Sequence, residues 1–486
     1  MWVSIRMIRS ALSLAALFLA VGCQAVATEE ADDSADSTAD FSTDGDGNDP
    51  QGASGGRVAA SSEVWGRRIE LHLSDADGAG WASIENGEAK DEAWLDRSFD
   101  GGKTWDGRVG KTKIPSGQHA WRTLMYEIDA PAKRLVGALR ACGKASDRGE
   151  IACTSWLRTT TNTKTPIDAA ATALMAQYDA GSGKWPTAGW WNNANALTAI
   201  IDYSAATGNK TWDYAVGITF DRNKGHNFTN DYMDDTAWWG LAWVRAFDLT
   251  GDARYLDMAK KDTDYLWSFK DDKCGGGVWW SDAKSYKNAI TNELFIKLAA
   301  AVHNRTPGDT KYLAQADDVW RWFKASGMIN GQNLINDGLD GQCRNNGQTT
   351  WTYNQGVILG GLVELAKAHD DKAYLAQAKT LADASTTDGT LNPNGVLRES
   401  CESSDDHCGR DGPSFKGIYA RNLGELNRAM VGRPYGTYLK RQAASLAKAH
   451  DSLDQYGVSW TGPIDQLDAS RQHSALEALT AAFGGP

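Results

Sequence analysis

Two adjacent carboxylates, Asp234 and Asp235, are the residues of this sequence whose types and spacing best suit catalysis. They lie in the stretch Asn-Asp-Tyr-Met-Asp-Asp-Thr-Ala-Trp-Trp that begins at Asn230, at the expected start of a helix. Hydrolysis of a glycosidic bond needs two carboxyl groups, of which one donates a proton while the other is ionised. Neighbouring carboxylates push their pKa values apart, which permits that division. Adjacent side chains can place their carboxyls about 5–5.5 Å apart, the separation typical of retaining enzymes.

The pair also has a structural interpretation, since aspartate is a favoured capping residue at helix N-termini. Catalysis is favoured by the polar and aromatic residues at the expected starts of other helices. Tryptophan rings stack on sugar faces, Asn, Gln and Tyr bond to hydroxyl groups, and the chain has 21 Trp. Taken singly, such residues are often core aromatics or helix caps. As a group they predict a cleft with these candidates for substrate binding: Trp190, Trp191, Asn192, Asp231, Trp238, Trp279, Trp280, Asn292, Tyr353, Asn354 and Gln355.

Repeated helix pairs are the elements that would gather these residues. The phrase Tyr-Leu-x-x-Ala follows a Gly- or Asp-rich turn at Tyr255, Tyr312 and Tyr374, and more loosely at Tyr438. Such repeats indicate stacked or closed α/α architectures. Helices that are apolar nearly all round alternate with amphipathic ones, which predicts an inner and an outer layer. Helix starts are expected near residues 166, 190, 209, 234, 252, 287, 309, 350, 372, 413, 433 and 468. The predicted fold class is mainly α, with an (α/α)6 barrel at 161–486; an open α-solenoid is the alternative.

Residues 61–160 are expected to form a small β-rich accessory domain, because short apolar runs there alternate with Gly- and Asp-rich turns. Within this region, Ser-Phe-Asp-Gly-Gly-Lys-Thr-Trp at residues 98–105 matches the Asp-box pattern Ser-x-Asp-x-Gly-x-Thr-Trp. In that pattern the Asp and Gly tie a hairpin turn together, and the tryptophan packs beneath the turn. The match favours a structural hairpin, and a small carbohydrate-binding module is the alternative.

The N-terminus is predicted to be an export signal. Arg6 and Arg9 precede an apolar run at 11–21, which is too short to span a bilayer as a helix. The following Gly-Cys completes a sequence similar to a lipobox, which predicts a lipoprotein signal peptide at 1–23 and lipidation of Cys23. An ordinary cleaved signal peptide is the alternative. Residues 24–60 are acidic and poor in large apolar side chains, which predicts a disordered tether. We therefore expect an exported protein, lipid-anchored at a bacterial cell envelope or otherwise secreted.

Seven cysteines occur in all, so six remain when Cys23 is set aside, as expected for three disulfides in an oxidising compartment. Proximity favours Cys142–Cys153 and Cys401–Cys408, which leaves Cys274–Cys343, although other pairings are open. The cysteine and histidine spacing does not match a zinc site, and no cofactor motif is found. The net charge of −12 argues against a nucleic-acid partner.

Five motifs in order resemble glycoside hydrolase family 76, the endo-α-1,6-mannanases. They are Asp234-Asp235-Thr-Ala-Trp-Trp, Gly275-Gly-Gly-Val-Trp-Trp280, Lys287-Asn-Ala-Ile-Thr-Asn292, Trp351-Thr-Tyr-Asn-Gln-Gly356 and Phe415-Lys-Gly-Ile. The resemblance covers about residues 165–484 and leaves 61–160 unexplained. It implies an (α/α)6 barrel and a retaining mechanism without a metal, in which Asp234 is the nucleophile and Asp235 the acid/base. We expect a monomer that binds an α-mannan chain and contacts a membrane only through its lipid anchor.

Two other classes of function stay open. One is a surface glycan-binding lipoprotein whose barrel has lost catalysis, which the intact Asp-Asp pair argues against. The other is a different (α/α)6 enzyme. A sugar epimerase would depend on histidine, and of 8 His only His226 is near the proposed cluster. An unsaturated uronyl hydrolase would need cations for the carboxylate of its substrate, and the motifs offer mainly Lys287, Lys416 and Arg421.

Overall fold

The computed structural model describes residues 45–483, in which a β-sandwich precedes a barrel of helices. The predicted signal peptide, Cys23 and the tether up to residue 44 lie outside the described residues. Within 45–483, no helix combines the length and the apolar composition that crossing a membrane requires.

The β-sandwich consists of two antiparallel sheets. One has the order β1-β2-β3-β6, with β7 also paired to β3, and the other has the order β5-β4-β8-β9. Apolar residues at alternate positions, such as Ile69, Leu71 and Leu73, point between the sheets and form the core. The strands are β1 (Gly56–Val64), β2 (Arg67–Ser74), β3 (Ala79–Glu85), β4 (Glu92–Ser98), β5 (Asp106–Lys113), β6 (Trp121–Arg122), β7 (Tyr126–Glu127), β8 (Ala138–Lys144) and β9 (Ala152–Cys153).

The predicted tether extends too far, because residues 45–60 belong to the β-sandwich. Strand β1 already begins at Gly56 and pairs along its length with β2. Before it, Asp46 accepts a hydrogen bond from the main-chain N–H of Glu127 at 2.9 Å and pairs with Arg97 at 3.0 Å. Composition indicates only how much apolar surface a segment can bury. Residues 45–60 are held in place instead by strand pairing and by the ion pair between Asp46 and Arg97.

Twelve helices follow in the described part of the chain, close to the twelve expected starts. The even-numbered helices pack in a closed ring, each on the next and α12 on α2, and the odd-numbered helices cover them. Closure confirms the (α/α)6 barrel and excludes the open solenoid. The helices are α1 (Pro166–Met175), α2 (Trp190–Thr207), α3 (Tyr214–Asn223), α4 (Met233–Thr250), α5 (Ala253–Trp267), α6 (Ala289–Asn304), α7 (Lys311–Ala325), α8 (Thr352–His369), α9 (Ala373–Thr387), α10 (Phe415–Ala429), α11 (Gly436–Leu446) and α12 (Ala469–Phe483).

The repeated phrase marks the turn from an inner to an outer helix. Inner helix α4 ends at Thr250 and is followed by the capping residue Gly251, whose φ of 72° lies in the left-handed region that glycine adopts without strain. Asp252 then caps α5 by accepting the N–H of Arg254 at 3.0 Å. Helix α5 buries Tyr255 and exposes Lys261, as its amphipathic pattern predicts. Because inner and outer helices alternate in direction, all six inner helices begin at the same end of the barrel.

The Asp-box hairpin of the β-sandwich contacts the end of the barrel at which the inner helices begin. Asp100 accepts the main-chain N–H groups of Lys103 and Thr104, at 3.0 and 2.9 Å, and so closes the turn. The side-chain amide of Gln455, in the connection from α11 to α12, donates to the carbonyl of Gly101 at 3.2 Å. Trp105 departs from the expected packing beneath the turn, because it remains 45% exposed. These contacts give the turn of the hairpin a structural role.

The three disulfides have the pairing that proximity favoured. Cys142–Cys153 joins β8 to β9, and Cys401–Cys408 closes a short loop before α10. Cys274–Cys343 joins the loops before α6 and α8 across 69 residues of sequence. Both barrel disulfides therefore stabilise connections that lead into inner helices.

Candidate active site

Asp234 and Asp235 are the second and third residues of α4, and both are half-buried. Tyr232 occupies the N-cap position, so the aspartates are not caps. One oxygen of Asp234 accepts the main-chain N–H of Asp235 at 3.0 Å, and the other accepts the indole N–H of Trp280 at 2.9 Å. Asp235 accepts a hydrogen bond of 2.6 Å from the side-chain amide of Asn230. Both carboxyls are thus held by donors from the chain itself.

The loop before α6 places Trp280 against α4. The N–H of Met233 donates to the carbonyl of Trp280 at 2.8 Å, and the N–H of Trp280 donates to the carbonyl of Tyr286 at 2.9 Å. Asn230 is oriented by its own turn, since its side-chain oxygen accepts the N–H of Tyr232 at 3.0 Å. That bond leaves the NH2 group of Asn230 to face Asp235, which fixes the direction of the amide.

Burial shifts the ionisation of both aspartates. It raises the pKa of Asp235 to about 6, against the hydrogen bond from Asn230 and with a contribution from nearby Asp411. Burial and the charge of Asp235 also hold the pKa of Asp234 well above its ordinary value. Because the charge of one carboxyl raises the pKa of the other, the two do not ionise together, and one can hold a proton while the other is ionised.

Aromatic side chains line the space beside the pair. Trp191 and Tyr353 are the second residues of α2 and α8, the helix position that Asp234 occupies in α4. Tyr353 stacks on Phe415 with ring centres 3.9 Å apart. The indole N–H of Trp191 donates to Asp411 at 2.8 Å. Helices α2, α4 and α8 thus direct their second residues to a common cleft with flat apolar walls and carboxylates among them.

Carboxyl groups cluster around the cleft. Burial raises the pKa of Tyr353 well above its ordinary value, and four surrounding carboxyls add to the effect. Asp337 is one of them; burial raises its pKa, although hydrogen bonds from Tyr286 and Trp351 oppose that rise. Those of the carboxyls that are ionised stabilise the positive charge that develops on a sugar ring during glycoside cleavage. The four carboxyls around the Tyr353 hydroxyl are Asp234, Asp337, Glu293 and Asp411.

The fourth residue of several inner helices has a structural role instead. At this position a side-chain amide bonds in both directions to the main chain of the preceding loop. Asn292 accepts the N–H of Val278 at 2.7 Å and donates to the same residue's carbonyl at 3.1 Å. Gln355 forms the same pair of bonds with Ile335, at 2.8 and 2.9 Å. These amide clamps are Asn193, Asn292, Gln355 and Gln472.

The predicted substrate-binding residues therefore divide into two groups. Trp191, Trp280 and Tyr353 line the cleft, and exposed Asp231 lies beside α4. Asn292 and Gln355 are buried clamps whose polar atoms are already paired. The remaining candidates are also packed into the protein. Trp190 packs on Trp239, Trp238 lies beneath Trp191, Trp279 donates to Asp271, Asn192 donates to Ser414, and Asn354 is buried without a hydrogen bond in the described structure.

Sequence reasoning missed three residues of the cleft. Asn230 begins the motif that contains the aspartates, and a polar residue just before a helix was the available signal. Asp411 follows the Cys401–Cys408 loop, and Asp337 lies between α7 and α8. Both come from long connections whose path the helical pattern does not predict.

Replacing Gln355 by Leu should lower the free energy of unfolding by about 1–3 kcal/mol, because the main-chain groups of Ile335 lose their buried partners. Thermal unfolding and protease cleavage near residue 335 measure the effect. Gln332→Leu is the control. Gln332 is exposed and lies in the same loop as Ile335, so this variant loses a side-chain amide but keeps the clamp. Equal stability of the two variants would contradict the clamp.

Comparison with known proteins agrees with this geometry. Residues 162–485 match the family model described as Glycosyl hydrolase family 76. A putative mannan endo-1,6-α-mannosidase from Schizosaccharomyces pombe is 30% identical over 275 residues, which are 51% of this chain and 61% of that protein. The chain thus spans less than two thirds of the length of this relative.

Solved structures share the fold. The α-1,6-mannanase from Salegentibacter sp. HEL1_6 has a TM-score of 0.58 at 24% identity, over 65% of this chain and 98% of that one. An inactive variant of that enzyme, with two consecutive aspartates replaced by alanine, was solved with α-1,6-mannotetrose. A family 76 hydrolase from a bovine Bacteroides thetaiotaomicron strain covers 87% of this chain and 98% of its own, at 18% identity and TM-score 0.54. With the match spanning the whole barrel, this chain belongs to glycoside hydrolase family 76.

Proposed function

We propose that the protein is a retaining hydrolase that cleaves α-1,6-mannosidic bonds within mannan chains. The observation that carries this proposal is the pair of half-buried aspartates at the start of α4, placed in the cleft of a family 76 barrel. The names of the relatives supply the substrate class, because they describe enzymes that act on α-1,6-linked mannan.

The hydrogen bonds support the roles that we propose for the two aspartates. Asp234 accepts N–H bonds on both oxygens; these oppose the rise of its pKa that burial causes, favour its carboxylate form and orient it as a nucleophile. Asp235, with a pKa of about 6, keeps a proton for the leaving group. Asp235 protonates the glycosidic oxygen while Asp234 attacks the anomeric carbon, which forms a covalent mannosyl-enzyme. Asp235 then removes a proton from water, and this water releases the product and frees Asp234.

Product analysis with linear α-1,6-mannan tests the activity. We expect short mannooligosaccharides from the wild type and none from Asp234→Asn. Exclusive release of mannose would contradict endo cleavage. Tight binding of mannan without any product would instead favour a glycan-binding protein. NMR of the first product distinguishes mechanisms, since a retaining enzyme releases the α-anomer before mutarotation.

Asn230 should set the alkaline limit of activity. The acid must be protonated, so kcat/KM should fall as the pH rises through about 6. The amide of Asn230 stabilises the ionised form of Asp235, and its removal therefore raises the pKa of that carboxyl. In Asn230→Ala we expect the descending limb of the pH profile to move up by about one unit. Asn230→Asp should move it in the same direction, and an unmoved limb in both variants would contradict the assignment.

The proposal includes action outside the cytoplasm. Three disulfides support it, because such bonds persist in oxidising compartments. Anchoring through Cys23 belongs to the same proposal. Mass spectrometry of the mature N-terminus, with Cys23→Ser as the control, would detect the added acyl chains or their absence.

A further inference from the structure

The β-sandwich carries an aromatic cluster on the end that touches the barrel. The Trp105 ring is 45% exposed, and the half-buried ring of Trp156 has its centre 6.1 Å away. The guanidinium carbon of Arg140 lies between them, 4.6 Å from the Trp105 ring centre and 4.7 Å from that of Trp156. We call these three residues the Trp105 cluster.

The cluster is rigid. Nε of Arg140 donates to an oxygen of buried Asp96 at 2.9 Å, and Nη2 of Arg140 lies 2.9 Å from the same oxygen. The disulfide between Cys142 and Cys153 joins the two strands that flank it. A ligand that stacks on Trp105 therefore finds the ring already oriented and immobilises little further side-chain freedom.

The chemistry of the cluster suits a neutral ligand with many hydroxyls. Asp96 neutralises the charge of Arg140, yet N–H groups of this guanidinium remain for an external acceptor. An exposed indole beside such donors offers an apolar face for sugar C–H groups and polar contacts for hydroxyls. Because the charges of Arg140 and Asp96 cancel, the site has no net positive charge that would attract an anionic ligand.

The cluster also lies at the catalytic end of the barrel. Gly101 of the adjoining hairpin contacts Gln455, in the connection that enters inner helix α12. At the same end of the barrel, the connection from α9 to α10 is hydrogen-bonded to the one from α11 to α12. Lys416 at the start of α10 donates to the carbonyl of Val458 at 2.7 Å, and Arg471 of α12 donates to the carbonyl of His407 at 3.2 Å. The connection from α9 to α10 delivers Asp411 to the cleft. A continuous rim thus joins the cluster to the candidate active site.

We propose that the Trp105 cluster is a second binding site for the polysaccharide substrate, which holds a chain that extends beyond the catalytic cleft. The inference takes its substrate class from the proposed function. It gives the β-sandwich a role that the barrel alone does not require: retention of long chains, with no effect on short ones.

The test compares a polymer with a short oligosaccharide in the full chain carrying Asp234→Asn, which prevents turnover. We expect Trp105→Ala to weaken binding of linear α-1,6-mannan about tenfold and to leave α-1,6-mannotriose binding unchanged. Trp105→Phe should restore most of the polymer affinity, because it retains an aromatic ring.

Trp65 is the matched control. It is 49% exposed and stacks with Arg148 at 3.9 Å, but it lies at the β1–β2 turn, at the opposite end of the sandwich. Three results would each overturn the second site. They are polymer binding by Trp105→Ala as tight as that of the parent chain, a loss of mannotriose affinity in Trp105→Ala equal to its loss of polymer affinity, and a loss of polymer affinity in Trp65→Ala equal to that in Trp105→Ala. Mannan hydrolysis by the chain with Asp234 intact is measured in parallel. Its absence overturns the proposed function, whereas hydrolysis with polymer binding indifferent to Trp105 overturns only the second site.

Discussion

Replacing Asp234 or Asp235 by asparagine should abolish turnover, and Asp235→Asn should also stabilise the fold. We expect kcat/KM on α-1,6-mannan to fall about 10³-fold or more in Asp234→Asn and in Asp235→Asn, since each removes a group that exchanges a bond or a proton with the substrate. Rates of product release at matched protein concentration measure this effect. Activity near the wild-type level in either variant would contradict the mechanism.

The stability of the same variants separates lost chemistry from misfolding. The pKa of Asp235 is raised in the folded state to about 6, so above that pH the ionised carboxyl costs free energy of folding. Asp235→Asn removes the cost and should raise the free energy of unfolding at pH 7 by about 1–3 kcal/mol. The gain should disappear below about pH 4, where the carboxyl is protonated in both the folded and the unfolded state. A lower melting temperature at pH 7 would contradict this expectation.

Glu425 should be the most sensitive charge in the barrel interior. It is buried on α10 and pairs with Arg245 of α4 and with Lys297 of α6, the latter at 2.9 Å. Burial disfavours its ionisation, but Arg245 and Lys297 outweigh burial and hold its pKa below the ordinary value. Glu425→Gln leaves buried Lys297 without its anion and half-buried Arg245 with only Asp202, at 3.5 Å, which should lower the free energy of unfolding by about 3–5 kcal/mol.

The pH dependence identifies the cause of that loss. A depressed pKa stabilises the folded state above the unfolded pKa, and this contribution disappears as the pH falls through the folded pKa. The difference between wild type and Glu425→Gln should therefore be full at pH 7 and shrink below about pH 4. Lys311→Gln breaks a half-exposed pair with Asp264 and should cost less than about 1 kcal/mol. Similar losses in both variants would contradict the role of burial.

The barrel could be predicted from the sequence because its helices carry their own signals. The apolar pattern separates inner from outer helices, and Gly and Asp mark the turns between them. The aspartates of α4 were found for a similar reason, since an acidic pair beside aromatic residues is a local feature. The predicted tether and the loops carry no such local signal. Strand β1 is ordered by pairing with β2, and Asp411 reaches the cleft through a long connection that no local pattern specifies.

The side chains of the first helical turn show the limit of such reasoning. Asn292 and Gln355 were expected to bind sugar because they stand at inner-helix starts, as Trp191 and Tyr353 do. Two residues along a helix turn the side chain by about 200°, so the second and fourth positions face different surroundings. The helix start was predictable to within a few residues, but the direction of each side chain depends on the exact register.

Because the second and fourth positions of an inner helix face different surroundings, residues at the second position can change without disturbing those at the fourth. The amide clamps at the fourth positions hold the loops, while the second positions of α2, α4 and α8 direct Trp191, Asp234 and Tyr353 to the proposed substrate cleft. A lineage can therefore retune what its cleft accepts by substitutions one half-turn away from the residues that preserve its architecture. For protein engineers, the second positions of α2 and α8 define a small library in which specificity can vary on a scaffold left intact.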